Sequence, residues 1–239
     1  MFYPTLRAMA ALVVAAGGSL AGCGLISSDV TDFDLTLPEK KFTIDTAGWD
    51  IQQSDADQFT SLSCASDASV CSRAVASACA SGCTGACNSN KTCDLMLDIS
   101  LTQPVNLVAE KPELKSINDQ PVIKVTIDSV TYRIATNQLN VATPQLDVYV
   151  APVSVVLADT DSGATLIGSI PPIPAGQVSS DPEMLTFTSS GRTQLVNIMS
   201  SFKTPFNVLV GSSLLITAGQ PVPTGKLEAA ISVNAHAGI

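Results

Sequence analysis

Val122-Ile123-Lys124-Val125-Thr126-Ile127-Asp128-Ser129-Val130-Thr131-Tyr132-Arg133-Ile134 is dominated by β-branched and aromatic side chains, with no glycine or proline to interrupt it. In a helix these side chains would lose rotamer freedom against the preceding turn, whereas a pleated surface accommodates them. Apolar groups occupy the odd positions 123, 125 and 127 and then the even positions 130, 132 and 134. With apolar groups on both parities, the run predicts a long central strand or a strand that bends.

Outward from this run the period of two persists. Gln145-Leu146-Asp147-Val148-Tyr149-Val150-Ala151 alternates, and Val153–Leu157 and Thr165–Ile170 read as two hairpin arms around the turn residues Asp159-Thr160-Asp161-Ser162-Gly163. Phe206–Thr217 and Gly225–Val233 flank the turn Pro221-Val222-Pro223-Thr224-Gly225 near the end of the chain. Toward the start, Cys93–Ile99, Pro104–Leu107, Asp32–Leu37 and Lys41–Asp45 alternate as well. One helix interrupts the pattern: after Ser190, Leu195, Ile198, Met199 and Phe202 form a single stripe that Pro205 ends. Many short strands with Pro and Gly turns predict a mainly β fold, an antiparallel β-sandwich with one amphipathic helix.

Residues 54–93 differ in character, being rich in Ala, Ser, Gly, Asn and Cys. Such a segment has too little apolar surface to fold without cross-links, so it is expected to be a small, partly helical, disulfide-rich insertion in a domain spanning 32–239. A helix is predicted from the N-cap candidate Asp67 to a stop at Gly82. Cys64, Cys71, Cys79, Cys83, Cys87 and Cys93 all fall here, and an even count in an exported chain reads as disulfides. Six cysteines allow fifteen pairings, and the spacing does not choose among them. A bridge between neighbouring turns restrains little, so at least one link from Cys64 or Cys93 to the helix is expected. The competing reading places Cys79, Cys83 and Cys87 on one helical face as metal ligands. No histidine accompanies them and free thiolates oxidise outside the cytoplasm, so no metal and no cofactor is assigned.

The chain opens with one cation, Arg7, followed by an uncharged apolar stretch from Ala8 to Leu20, which is long enough for a secretory signal and too short for a permanent span. The junction Leu20-Ala21-Gly22-Cys23 resembles the bacterial lipobox. That resemblance implies a signal peptide over 1–22 and lipidation of Cys23 by acyl chains of the palmitate class. Residues 23–31 would then form a tether, and a membrane would be a partner through the N-terminal lipid. Two or more chains, at about 0.8 kcal/mol per buried CH₂, anchor a protein stably. Gly24 follows the cysteine, and by resemblance to Gram-negative lipoproteins the absence of Asp there implies a cell-envelope location at the outer membrane.

The chain carries 12 Lys and Arg against 21 Asp and Glu, and loss of residues 1–22 removes only Arg7, leaving a net charge of −10. Nucleic acid is therefore an unsuitable partner. The order Val130-Thr131-Tyr132-Arg133-Ile134, Asn137, Leu146-Asp147-Val148-Tyr149-Val150, Ile167-Gly168, Ile173-Pro174-Ala175-Gly176 and Gly225-Lys226-Leu227 resembles late embryogenesis abundant type 2 domains, which implies a β-sandwich over residues 95–239.

Catalytic groups are sparse. His236, the single histidine, is three residues from the last one, where a mobile side chain is expected to be a poor general base. Asp159-Thr160-Asp161-Ser162-Gly163 has alternate acids but lacks the closing glutamate of a calcium loop and reads as a solvated turn. Asp94 and Asp98 share a strand face as solvent-facing residues. The Pro-rich stretch 166–176 reads as a rigid connection. No catalytic residue is assigned and no enzyme activity is expected. The expectation is a non-catalytic binding or structural module of the envelope, its partner an envelope protein. The alternative is a carrier or chaperone for a hydrophobic ligand such as a lipid, suggested by strands apolar on both faces.

Overall fold

A computed structural model describes residues 33–117 and 123–238; the expected signal segment 1–22, Cys23 and the expected tether through residue 31 lie outside the described residues. The chain runs through β1 (Phe33–Asp34), β2 (Lys40–Asp45), α1 (Gln53–Thr60), α2 (Val70–Ala74), β3 (Cys83–Cys87), β4 (Cys93–Val105) and α3 (Leu107–Glu110). It continues through β5 (Lys124–Asn137), β6 (Leu146–Pro152), β7 (Thr165–Ile170), β8 (Glu183–Met184), β9 (Thr186–Phe187), α4 (Gly191–Ser200), β10 (Phe206–Ile216) and β11 (Lys226–Gly238). Two antiparallel sheets form the expected sandwich. In the first, β11 lies between β5 on one side and β1 and β2 on the other, with β8 beyond β5; the second has the order β3-β4-β10-β6-β7-β9.

The mixed parity of the β5 run has a simple cause. β5 pairs with β11 along its length, but the register skips Asp128 between the Ile127↔Ala235 and Ser129↔Asn234 pairs. This bulge re-aims the strand. Val125 and Ile127 point into the core before it, and Val130, Tyr132 and Ile134 point into the same core after it. A second skip, at Ala135, returns the parity, and Asn137 is buried. Its Nδ2 donates to the carbonyls of Pro174 (2.9 Å) and Gln177 (3.0 Å), which fixes the Pro-rich connection against the sheet. β5 is thus apolar on one face, interrupted by bulges.

Between the sheets lie Leu35, Phe42 and Ile44, Leu95 and Leu97 of β4, Leu146 and Val148 of β6, and alternate residues of β11 from Leu227 to Ala237. Each large aliphatic group buried there contributes roughly 1.5–3 kcal/mol. Two gaps in this core, one beside Phe42 and Leu146 and one beside Trp49 and Leu139, are only about 10 Å³ each. Residues 35 and 37 continue the β1 pairing, since their amides donate to Ala235 and Val233 at 2.9 Å, as the alternation from Asp32 to Leu37 predicts.

One side of the sandwich is closed by a segment shared between the sheets. Residues 183 and 184 pair with Tyr132 and Thr131 of β5, residues 186 and 187 pair with Ser169 and Gly168 of β7, and Leu185 is buried between. α4 packs against β5 and β7 beside it, with the predicted stripe residues Leu195, Met199 and Phe202 buried. The fit is close. A Cβ placed on Gly191 would lie 1.7 Å from the Ile167 carbonyl oxygen, so only glycine lets the helix start on β7.

The β6–β7 connection departs from expectation. Residues 153–157 are predicted as a hairpin arm, but β7 pairs instead with residues 146–150 of β6. Residues 153–163 fold back over the outer face of the second sheet, because Asn207 of β10 donates to the carbonyls of Val153 (3.2 Å) and Val155 (2.8 Å). These bonds take carbonyls that a hairpin ladder would otherwise use.

Candidate functional site

Two features stand out on the sandwich: the stapled insertion and a groove under the folded-back loop. The insertion begins after Trp49, where α1 buries Ala56, Phe59 and Thr60. α2 is a single short turn followed by a 3-10 turn at Val75–Ser77, so the predicted helix from Asp67 to Gly82 is much shorter than its spacing suggests. Its start is held by the Asp67 carboxylate, which accepts from Ser69 N (2.9 Å) and Arg73 Nη2 (2.6 Å). The Arg73 guanidinium, followed by the Ser69 hydroxyl and amide, holds that carboxyl down at about 2.

Three disulfides cross this segment: Cys64–Cys87, Cys71–Cys93 and Cys79–Cys83. Cys71 lies on α2, so the Cys71–Cys93 bridge is the expected link from the sheet to the helix. Cys87 and Cys93 sit opposite one another across β3 and β4, yet each is bonded away from the ladder. The sulfurs of Cys64, Cys71 and Cys93 all lie within 4.8 Å of one another. In the disulfide form these sulfurs are not thiolate donors. The helical face of Cys79, Cys83 and Cys87 does not form, because Cys83 and Cys87 belong to strand β3. β3 approaches α2 closely: a Cβ at Gly85 would meet the Cys71 carbonyl oxygen at 2.5 Å.

The second feature is built on β4, β6 and β10 where the loop 153–163 covers them. Tyr149, Ala151, Ala164 and Leu209 form a small apolar cluster on the outer side of the sheet, separate from the main core. The loop is fastened by Asn207, by Thr102 Oγ1 donating to the Val156 carbonyl (2.8 Å) and by Ala158 N donating to Ser100 Oγ (3.0 Å). It also needs Gly211, where a Cβ would stand 2.5 Å from the Ala158 carbonyl oxygen. Beside this cover a solvent-open groove of about 490 Å³ remains, lined among others by Asp98, Asp147, Tyr149, Leu157, Asp159 and Ser213.

The electrostatics of the groove are one-sided. Asp98 Oδ1 accepts from Ser213 Oγ (3.1 Å), Asp147 Oδ1 from Gln145 Nε2 (2.8 Å) and Asp159 Oδ1 from Ser162 N (2.6 Å). Burial, then the charges of Asp147 and Asp159, push the Tyr149 phenol above its ordinary value, so it stays neutral. The arrangement can accept hydrogen bonds and attract cations.

The remaining candidates separate. Asp94 accepts from Asn88 Nδ2 (2.7 Å) at the β3–β4 turn, far along β4 from the groove residue Asp98. The predicted turn at Asp159 is present, with Gly163 at φ +95°. His236 is held in β11 opposite Thr126 and Asp34, with Nδ1 3.1 Å from Asp128 Oδ2, which corrects the expectation of a mobile side chain. It is far from Tyr149 in topology, lying on the other sheet. The groove itself is not among the sequence-predicted sites. Its signal was the apolar character of β6 and β10 on both faces: Tyr149, Ala151 and Leu209 need a cover outside the sandwich.

Comparison with family models, curated proteins and solved structures returns no match, so the geometry carries the functional argument.

Proposed function

We propose that this chain is a lipid-anchored lipoprotein of the bacterial cell envelope whose sandwich acts as a non-catalytic binding module. The observation that carries the reading is how the cysteines divide. All six in the described residues are paired in disulfides, and of the seven in the chain the one outside is Cys23, directly after the apolar leader. Three completed bridges suit an oxidising compartment, and an odd cysteine at a lipobox suits acylation. The outer-membrane destination rests on Gly24, and the partner is another envelope component or a soluble envelope solute.

The carrier reading loses its motive. It rested on strands apolar on both faces. In β5 both apolar sets enter one core because of the Asp128 bulge, and in β6 and β10 the outer apolar groups are covered by the loop 153–163.

The test is intact mass of protein extracted from membranes, with thiols alkylated before or after reduction. The reading expects an N-terminal acylated Cys23 and six thiols that label only after reduction. Release of a Cys23→Ser variant from the membrane fraction should follow. An unacylated N-terminus, or thiols that label without reduction, would overturn it.

A further inference from the structure

Two of the three disulfides share one site. The sulfurs of Cys64, Cys71 and Cys93 lie within 4.8 Å of one another, and Cys87 is bonded to the first of them, so four sulfurs from two different bridges are gathered together. Cys79 and Cys83 stand outside this group. Sulfurs so placed exchange partners when one of them becomes a thiolate, because a thiolate displaces one sulfur of a neighbouring disulfide and forms a new bond to the other. Holding attacker and target in one site replaces the bimolecular encounter that exchange otherwise needs.

The ladder supplies a second, independent observation. Cys87 and Cys93 are paired directly across β3 and β4 without being bonded to each other. Opposite residues of an antiparallel pair share a face and have Cα atoms about 4.5–5.5 Å apart, inside the roughly 4.4–6.8 Å that a disulfide spans. The two cysteines left over, Cys64 and Cys71, already have their sulfurs in the common group. The same four residues therefore admit a second pairing, Cys64–Cys71 with Cys87–Cys93. Access is one-sided: Cys64, Cys71 and Cys93 are buried, whereas Cys87, on the outermost strand of its sheet, is only half-buried.

We propose that the insertion is a switch between these two pairings, catalysed by a small external thiol that enters at Cys87. The external thiolate attacks Cys87 Sγ, the Cys64–Cys87 bond breaks, and its electron pair leaves on Cys64 Sγ. Cys64 then attacks Cys71 Sγ, which forms Cys64–Cys71 and releases Cys93 as a thiolate. Cys93 attacks Cys87 Sγ, forms Cys87–Cys93 and expels the external thiolate. Two S–S bonds exist before and after, nothing is oxidised or reduced overall, and the thiol is regenerated. In the first pairing Cys71–Cys93 ties α2 to β4. In the second, each bridge is local in sequence and neither joins α2 to the sheet, so α2 is released from β4 while the sandwich keeps its core.

The test is disulfide mapping of the full, detergent-extracted chain after incubation with glutathione and quenching by alkylation. Trypsin cuts after Lys41, Arg73, Lys91 and Lys115, so the first pairing keeps 42–73, 74–91 and 92–115 linked as one species. The second pairing frees 42–73 with an internal bridge and leaves 74–91 joined to 92–115. Free 42–73 should rise from none without glutathione to on the order of 1–10 % of chains, the range of a populated minor state, with no gain in alkylated thiols. A linked species that persists, or bridges that open only to alkylated thiols, overturns the proposal. Cys87→Ser gives a second reading without added thiol: in protein with native Trp49 emission, the odd thiol should be found distributed over Cys64, Cys71 and Cys93, and a thiol confined to Cys64 refutes the exchange. The proposal rests on the paired cysteines of the envelope reading. Failure of that reading shows as thiols that label in untreated protein, whereas failure of the switch leaves all six protected and 42–73 still linked.

Discussion

Removing the disulfides one at a time should show that they are unequal. Cys71–Cys93 closes a separation of 22 residues and Cys79–Cys83 one of 4. In the chain-entropy treatment these loops correspond to about 3.4 and about 1.9 kcal/mol. The bridges Cys64–Cys87 and Cys71–Cys93 interleave along the chain, so with the first in place the route from Cys71 to Cys93 shortens to roughly fourteen residues, which lowers the larger figure to about 3 kcal/mol. Packing widens the gap again. Cys71 and Cys93 are fully buried against Phe59 and β3, and replacing both by Ala leaves a void worth a further ~1–2 kcal/mol. Cys79 is buried but Cys83 is only partly so, and the void left by that pair is the smaller one. The double variant Cys71→Ala/Cys93→Ala should therefore lose about 4–5 kcal/mol and Cys79→Ala/Cys83→Ala about 2 kcal/mol. Urea unfolding followed by the fluorescence of Trp49 reads both, since this single tryptophan packs 3.5 Å from where a Gly82 Cβ would stand, at the foot of the insertion. Equal losses, or a larger loss for the short bridge, would refute the reasoning.

Three further outcomes are expected. The Tyr132 hydroxyl donates to Glu183 Oε2 at 2.6 Å, and burial, reinforced by that carboxylate, pushes the phenol up to about 12. Below pH 10 the folded and unfolded phenols are both protonated; between 10 and about 12 only the unfolded one ionises, so stability should fall as pH rises through that window by roughly 2–3 kcal/mol. Tyr132→Phe should remove most of that slope in unfolding titrations at pH 9 and 12. Lys40 Nζ lies 2.6 Å from Glu110 Oε1 with both side chains about one-sixth exposed, so Lys40→Met should cost about 3 kcal/mol by stranding the carboxylate, while Lys40→Met/Glu110→Leu recovers most of it in the same denaturation assay. Asn207→Ala removes both bonds that hold the loop at Val153 and Val155; a loss of about 2–3 kcal/mol and faster amide exchange across residues 153–163 should follow, and unchanged exchange would show that the loop is held by other means.

Much of the architecture is legible in side-chain period. β2, β6, β10, β11 and α4 follow from alternation or from an apolar stripe, because one face of each meets the core and leaves that mark on the sequence. The bulges in β5 are legible only as mixed parity: which residue is skipped depends on the register with β11, a long-range property. The insertion illustrates the opposite limit. Its Ala- and Ser-rich composition suggests a helix through Gly82, but bridges to Cys87 and Cys93 and the pairing of β3 with β4 override that local preference. Groove residues were hidden for a related reason. Tyr149, Asn207 and Gly211 are strand residues whose roles arise only when residues 153–163 turn back over them, and nothing local distinguishes that path from a hairpin arm.

The segment 183–187 carries a consequence for solubility. A two-layer sheet protein exposes unpaired amide and carbonyl rows at its margins, which neighbouring molecules can extend into a shared ladder. Here one short stretch turns from β5 to β7 and leaves only two residues of strand on each sheet at that margin, with Pro182 directly before it. Intermolecular strand addition there finds almost no template. At the opposite margin of the second sheet β3 is the outermost strand, and its seat depends on cross-links to α2 and the preceding loop. A molecule whose bridges have not yet formed would therefore present β4 as a long open margin, so oxidation protects this chain against self-association as well as against unfolding.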